Sequence, residues 1–255
     1  MLPRNGAHTL SHKRAVTNYV GAMALIIGVT GSIATGKSLL CRYLVERHDA
    51  VHADADTVVH RMYNPGKPAF ERIVSAFGDD MVGDDGLIDR RMLGGKVFGD
   101  AEKMAALRVA IGDIPAELFS LMAHWRETLA DDRVAVLEAV NLFEGEYMQR
   151  IDVGWLAAVD DATAVTRLMA RNSYSRAEAE QRLASARSWQ TRAPAADHVF
   201  HNDATEDALR SEVDQVFRET VDAARAGSLP PARWHDWRRT QPAPKNDDLP
   251  PDERA

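Results

Sequence analysis

The sequence predicts an α/β fold: a parallel sheet flanked by helices, with a helical subdomain inserted between strands and a helical lid. Three observations carry that prediction. Ala24–Thr30, ALIIGVT, is a continuous apolar run, as a central parallel strand buried on both faces requires. A glycine-containing turn and an amphipathic helix follow at once. Further strand-length apolar runs then alternate with helical patterns, whereas residues 57–128 carry helical patterns alone.

In chain order, Lys37–His48 is the first helix, with Leu39, Leu40, Tyr43 and Leu44 on one stripe. AVHAD, residues 50–54, is a short strand ending in acids. From Thr57 to Thr128 the pattern is helical, broken by the turn sequences NPGKP and GDDG. Arg133–Val140 and Val153–Val159 read as buried strands, and HVFHN (198–202) as a short last one. Helices are predicted at Ala162–Arg171, Arg176–Thr191 and Glu206–Ala226; the second opens on Ser175 and Glu178 in capping-box spacing.

This reading divides the chain into an N-terminal extension (1–23), a single domain (24–227) and a Pro- and charge-rich tail (228–255). Within the domain the core comprises 24–56 and 129–227, the helical insertion about 57–128 and the lid about 162–192. The tail's composition predicts disorder, with Trp234 and Trp237 the residues able to dock on the body.

A hydrophobic fraction of 45 % over 255 residues is ample for a packed core. The formal charge of −7 argues against sequence-blind binding to nucleic acid or to an anionic membrane, which needs a basic surface. It is compatible with a small phosphorylated ligand held by clustered arginines. A single cysteine, Cys41, rules out an internal disulfide, and no apolar stretch approaches membrane-span length. These features predict a cytoplasmic protein, monomeric or a small homo-oligomer. The first 22 residues lack Asp, Glu and an apolar h-region, so they read as a short extension or as sequence preceding a true start at Met23.

Gly31-Ser32-Ile33-Ala34-Thr35-Gly36-Lys37-Ser38 fits the phosphate-binding pattern GxxxxGK[ST], in the strand–loop–helix context that pattern requires. Glycines let successive main-chain N–H groups converge on phosphate at the positive end of a helix. Lys37 is placed to reach the β- and γ-phosphates, and the Ser38 hydroxyl to ligate Mg²⁺. The loop therefore predicts ATP binding on a P-loop kinase-type sheet. No guanine-specifying NKxD segment accompanies it.

Asp54 and Asp56 stand two residues apart where the second strand leaves the sheet, on one side of an extended backbone. In an open α/β sheet ligands bind beyond the carboxyl ends of the strands. Two carboxylates there suit proton acceptance from an attacking hydroxyl or water-mediated Mg²⁺ binding; a helix cap with a solvated neighbour is the structural alternative. Arg167 and Arg171, four apart on one helical face, suit a lid that neutralises a triphosphate, with Arg176 and Arg182 following.

This order of signals resembles the dephospho-coenzyme A kinase family, from about Leu25 to Asn202. The resemblance rests on IGVTGSIATGKS, DAD, NPGKPAFERIVSAFG, GLIDRRMLGGKVFGD, LFE, RLMAR and ADHVFHN. It implies a helical CoA-binding insertion, and transfer of the ATP γ-phosphate to the ribose 3′-hydroxyl of dephospho-CoA with Mg²⁺. Carried onto these positions, it makes Asp56 the base beside the 3′-hydroxyl and Asp54 its companion. Arg90 falls to the substrate side and Arg171 to the lid. A nucleoside or nucleotide kinase of the same architecture, or a non-catalytic nucleotide or CoA binder, is the alternative. The chain departs from the family pattern at four places. Gly112-Asp113 stands where a His-Pro pair is usual, Ala139-Val140-Asn141 lacks a proline before LFE, and Ala164 and Ala186 replace glutamines, with Gln190 nearby.

Overall fold

The computed structural model describes residues 24–130 and 132–242; the extension 1–23 and the last part of the tail, 243–255, lie outside the described residues. Five parallel strands form the central sheet: β1 (Leu25–Gly31), β2 (Val51–Asp54), β3 (Val134–Glu138), β4 (Val153–Ala158) and β5 (His198–His201). Their order is β2-β3-β1-β4-β5, with β1 flanked on both sides. Every residue of β1, β3 and β4 is buried, which is why those segments read as unbroken apolar runs.

Each sheet face carries its own apolar layer. Helices α1 (Lys37–His48) and α10 (Glu206–Arg225) cover one face, packing Leu40, Leu44, Val213 and Phe217 against Ile27, Val29 and Trp155. The other face receives Leu118, Met122 and Trp125 of α6 (Ile114–Thr128) against Ile26, Leu137 and Leu156. Each such side chain, fully buried, contributes about 1.5–3 kcal/mol over exposure.

Between β2 and α6 run α2 (Ala55–Met62), α3 (Pro68–Phe77), α4 (Arg90–Val97) and α5 (Ala101–Ile111). They bury a separate cluster that includes Tyr63, Ile73, Met81, Leu93, Val97 and Ile111. Gly112 (φ 102°) stops α5, and the Asp113 side chain accepts from Ala116 N to start α6. The Gly112-Asp113 departure thus works as a helix stop followed by a helix start.

Beyond β4, α7 (Asp161–Asn172) and α8 (Arg176–Ala184) pack Val165, Leu168 and Ala179 together with Ile33 and Ala34 of the glycine loop. The Ser175–Glu178 capping box is formed. The single helix predicted over Arg176–Thr191 is instead two, α8 and the short α9 (Trp189–Arg192). Arg187 spends its carbonyl on the Ser32 hydroxyl at 2.7 Å, and Ser188 restarts the helix by accepting from Gln190 N.

In the first part of the tail the predicted disorder gives way to structure, while the tryptophans dock as expected. Residues 228–242 are ordered and end in α11 (Trp234–Thr240). Trp234 is 3 % exposed, packs in the same cluster as Leu142 and Phe143, and donates its indole N–H to the Phe143 carbonyl at 2.7 Å. Two tryptophans supplied apolar area that the surrounding prolines and charges masked. Among the described residues no helix is long and apolar enough to cross a membrane.

Candidate active site

The glycine loop leaves the carboxyl end of β1 and is held open by contacts that only small residues permit. Gly36 has φ 88°, a left-handed conformation, and a Cβ there would collide with the Asn202 amide. That amide donates to the Thr35 carbonyl at 3.0 Å, and the Thr35 hydroxyl donates to the Ser32 carbonyl at 3.0 Å. A Cβ on Gly31 would press on Thr35 Oγ1 and on the Ala157 carbonyl. Ala34 is also left-handed, at φ 63°, a strained conformation for a residue with a side chain. No side chain caps α1, whereas side chains cap α4 through α10. Leu39 N turns back to the Gly36 carbonyl at 2.9 Å, and no side chain takes the N–H groups of Lys37 and Ser38 that open the helix, an arrangement suited to an anion.

Lys37 and Ser38 meet an acid that sequence reasoning missed. Glu138, the last residue of β3, is 2 % exposed. Its Oε1 accepts from Lys37 Nζ and from Ser38 Oγ, both at 2.7 Å, and its Oε2 lies 3.1 Å from His52 Nε2. Burial pushes the Glu138 carboxyl up, but the hydrogen bonds from His52, Lys37 and Ser38 and the Lys37 charge outweigh it, bringing it to about 2. The signal was present in the sequence: an acid closing an otherwise apolar strand pattern. Its importance appears only once β3 is known to lie beside β1.

Asp54 and Asp56 do not share an extended backbone. Asp54 ends β2 and caps α2, its carboxylate accepting from Asp56 N at 2.8 Å; Asp56 sits exposed in the first helical turn. The cap alternative therefore describes Asp54. One turn beyond Asp56, His60 Nδ1 lies 2.8 Å from Arg90 Nη1. Burial lowers the His60 pKa, and the Arg90 charge lowers it further, so the neutral ring accepts from the guanidinium. Arg90, the first residue of α4, is thereby brought to the face of α2 that carries Asp56.

The two arginines of α7 separate in their contacts. Arg167 Nη2 donates to the Asn202 carbonyl at 2.8 Å and Nη1 to the Ala34 carbonyl at 3.4 Å, fastening α7 to the loop. Arg171 is exposed and bonds its neighbour Asn172. Between the glycine loop and helices α7 and α8 lies a cleft of about 590 Å³ lined by Ser32, Ile33, Thr35, Ala164, Ala186 and Gln190, among others. The two alanine departures thus widen a wall that Gln190 still shares.

At the remaining departure, Ala139-Val140-Asn141, the Val140 carbonyl accepts from Thr30 Oγ1 at 3.0 Å and from Arg192 Nη2 at 2.6 Å. Arg192, buried, also pairs with Glu144 at 3.0 Å, and the Asn141 side chain accepts from Arg187 at 2.9 Å. The missing proline costs no acceptor, because a carbonyl does the tethering.

The family model for dephospho-CoA kinase matches residues 25–207. The dephospho-CoA kinase of Symbiobacterium thermophilum is 38 % identical over 195 residues, which cover 76 % of this chain and 80 % of that protein. That of Geobacter sulfurreducens is 37 % identical over 193 residues, covering 75 % and 96 %. Among solved structures, the Thermus thermophilus protein TT1252 superposes with a TM-score of 0.63 at 27 % identity, covering 77 % of this chain and 98 % of that one. A dephospho-CoA kinase from Campylobacter jejuni shares the fold, with a TM-score of 0.53 at 21 % identity, covering 78 % and 98 %.

Proposed function

The chain belongs to the dephospho-CoA kinase family, and on that premise we propose how its residues carry the γ-phosphoryl group of ATP to the ribose 3′-hydroxyl of dephospho-CoA, the last step of coenzyme A synthesis. The uncapped N–H groups of α1 and the loop Gly31–Ser38 grip the β-phosphate. Lys37 exchanges its contact with Glu138 for the β- and γ-phosphates, where its ammonium stabilises the charge that develops as the bond to the leaving oxygen breaks.

The donor set suits Mg²⁺, a hard cation that prefers oxygen: the Ser38 hydroxyl and an ionised Glu138 carboxylate already touch. When bound, Mg²⁺ supplies neutralising charge on the triphosphate. Asp56 accepts the 3′-hydroxyl proton as the new O–P bond forms. Asp54 fixes its orientation by capping the turn that carries it. Arg90, steadied by His60, holds the acceptor side. Arg167 keeps lid and loop together, and Arg171, uncommitted to any distant partner in the pairs described, closes on the phosphates.

The observation that carries this reading is the family match spanning residues 25–207 together with Lys37 and Ser38 meeting on one buried carboxylate oxygen. A coupled assay of ADP release tests it. Release is expected with ATP, Mg²⁺ and dephospho-CoA together, and not when dephospho-CoA is replaced by nucleosides or nucleoside monophosphates. Folded protein that releases no ADP above background overturns it.

A further inference from the structure

We propose that Cys41, His52 and Glu138 form a second cation site, suited to a thiophilic divalent ion of the zinc class, whose occupancy opposes phosphoryl transfer. One ligand atom from each residue lies within 4.8 Å of the others: a thiol sulfur, an imidazole nitrogen and a carboxylate oxygen. The fold brings them together in a regular way. Cys41 follows Lys37 by one turn of α1, so its sulfur faces the same end of β3 as the Lys37 ammonium. His52 pairs in register with Val136, two residues before Glu138 and so on the same sheet face. His52 Nε2 already lies 3.1 Å from Glu138 Oε2.

The ligand chemistry selects the ion. Mg²⁺ takes oxygen donors, whereas a sulfur, nitrogen and oxygen triad is the donor set of zinc. At metal–ligand lengths of about 2.0–2.3 Å, tetrahedral ligand atoms stand roughly 3–4 Å apart, so a small movement closes the triad. His52 can supply it: its side chain is 26 % exposed on an edge strand, while Cys41 and Glu138 are buried. A cleft of about 430 Å³ lined by Ser38, Arg42, His52, Asp54, Arg61 and Glu138, among others, reaches two of the three ligands from solvent and has room for a water as fourth ligand; the Cys41 sulfur lies buried behind them. Binding transfers the Cys41 thiol proton to solvent and leaves a metal-bound thiolate. The functional consequence follows from Glu138, the shared acceptor of Lys37 and Ser38. A zinc-class ion that takes this carboxylate removes it from the phosphate cradle. That consequence rests on the role proposed for Glu138 above; the site itself does not.

Cobalt(II) titration of the reduced full-length protein, without ATP or Mg²⁺, tests the site directly. One equivalent is expected to produce a near-ultraviolet thiolate-to-cobalt absorption band with tetrahedral visible bands, and Zn²⁺ should displace it. Cys41→Ser should lose the thiolate band, and His52→Ala, at a part-exposed position, should weaken cobalt binding by at least about tenfold. Thermal melts establish that both variants fold; if Cys41→Ser does not, His52→Ala carries the comparison. Zn²⁺ is then expected to inhibit ADP release from the wild type at concentrations about tenfold lower than from Cys41→Ser. Absence of a thiolate band at one equivalent, or cobalt affinity unchanged in His52→Ala, overturns the site. Equal zinc inhibition of wild type and Cys41→Ser overturns its opposition to catalysis. A protein without kinase turnover still gives a readable cobalt spectrum, so failure of the catalytic reading is separable from failure of this one.

Discussion

The Lys37 ammonium, on the first residue of α1, lies 2.7 Å from Glu138 Oε1 at the end of β3, across 101 residues of sequence. Together with the hydrogen bonds from His52 and Ser38, the pair keeps the buried carboxylate ionised. Replacing Lys37 by Ala should lower turnover by about a hundredfold to a thousandfold, the usual cost of losing one fixed charge-stabilising donor. ADP release by the purified variant, set beside its melting curve, measures this.

Glu138 also sets an acid limit. Its folded pKa of about 2 lies below the ordinary 4.5, so its stabilising contribution is complete above about pH 4.5 and is lost as pH falls towards 2. Denaturation midpoints of wild type and Glu138→Gln should therefore differ most near neutrality and converge across that window. A constant difference through it would locate the acid sensitivity elsewhere.

For Asp56→Asn the expected result is a rate reduced by about 10²–10⁴ with ATP affinity nearly unchanged, because only the proton acceptor is removed. Asp54→Ala should instead cost about 1 kcal/mol of stability by uncapping α2. Turnover of the two variants, with ATP binding by calorimetry, separates base from cap; an unaltered rate in Asp56→Asn moves the base to Asp54.

Gly36→Ala should abolish nucleotide binding while leaving the sheet intact. The new methyl group must displace the Asn202 amide that tethers Thr35, in a backbone conformation that alanine adopts only at a cost. Loss of ATP-dependent thermal stabilisation, with an unchanged far-ultraviolet circular dichroism spectrum, is the expected readout.

Trp234→Ala should destabilise the fold by about 3–5 kcal/mol, the range for removing a buried aromatic ring. The loss includes the indole hydrogen bond to Phe143, the neighbour of Glu144. Denaturant titration gives the magnitude.

Much of this arrangement was legible in the sequence because it depends on local pattern. Unbroken apolar runs marked β1, β3 and β4, and the spacing Gly31…Gly36-Lys37-Ser38 marked the glycine loop between β1 and α1. Ser175 and Glu178 announced their own cap. What escaped depends on tertiary neighbours. Glu138 became notable only beside Lys37; Trp234 was named as able to dock, but its partner, the Phe143 carbonyl, is visible only in the fold. Asp54 and Asp56 were placed correctly at the end of β2 but given the wrong backbone, because the chain turns helical at Ala55 without a glycine or proline to mark the change. The helix break after Ala184 comes from a carbonyl held by Ser32, 155 residues away, which no window of sequence contains.

The order in which the sheet is laid down has a consequence for the protein during its synthesis. β1 leaves the ribosome first, yet both of its neighbours come from the far side of the helical insertion. Until that insertion has been translated, the nascent loop lacks the strands and the counter-acid that shape it. Pairings between such distant segments also form slowly. A growing chain therefore cannot trap nucleotide early, and any lesion that delays the insertion's own folding postpones the whole enzyme.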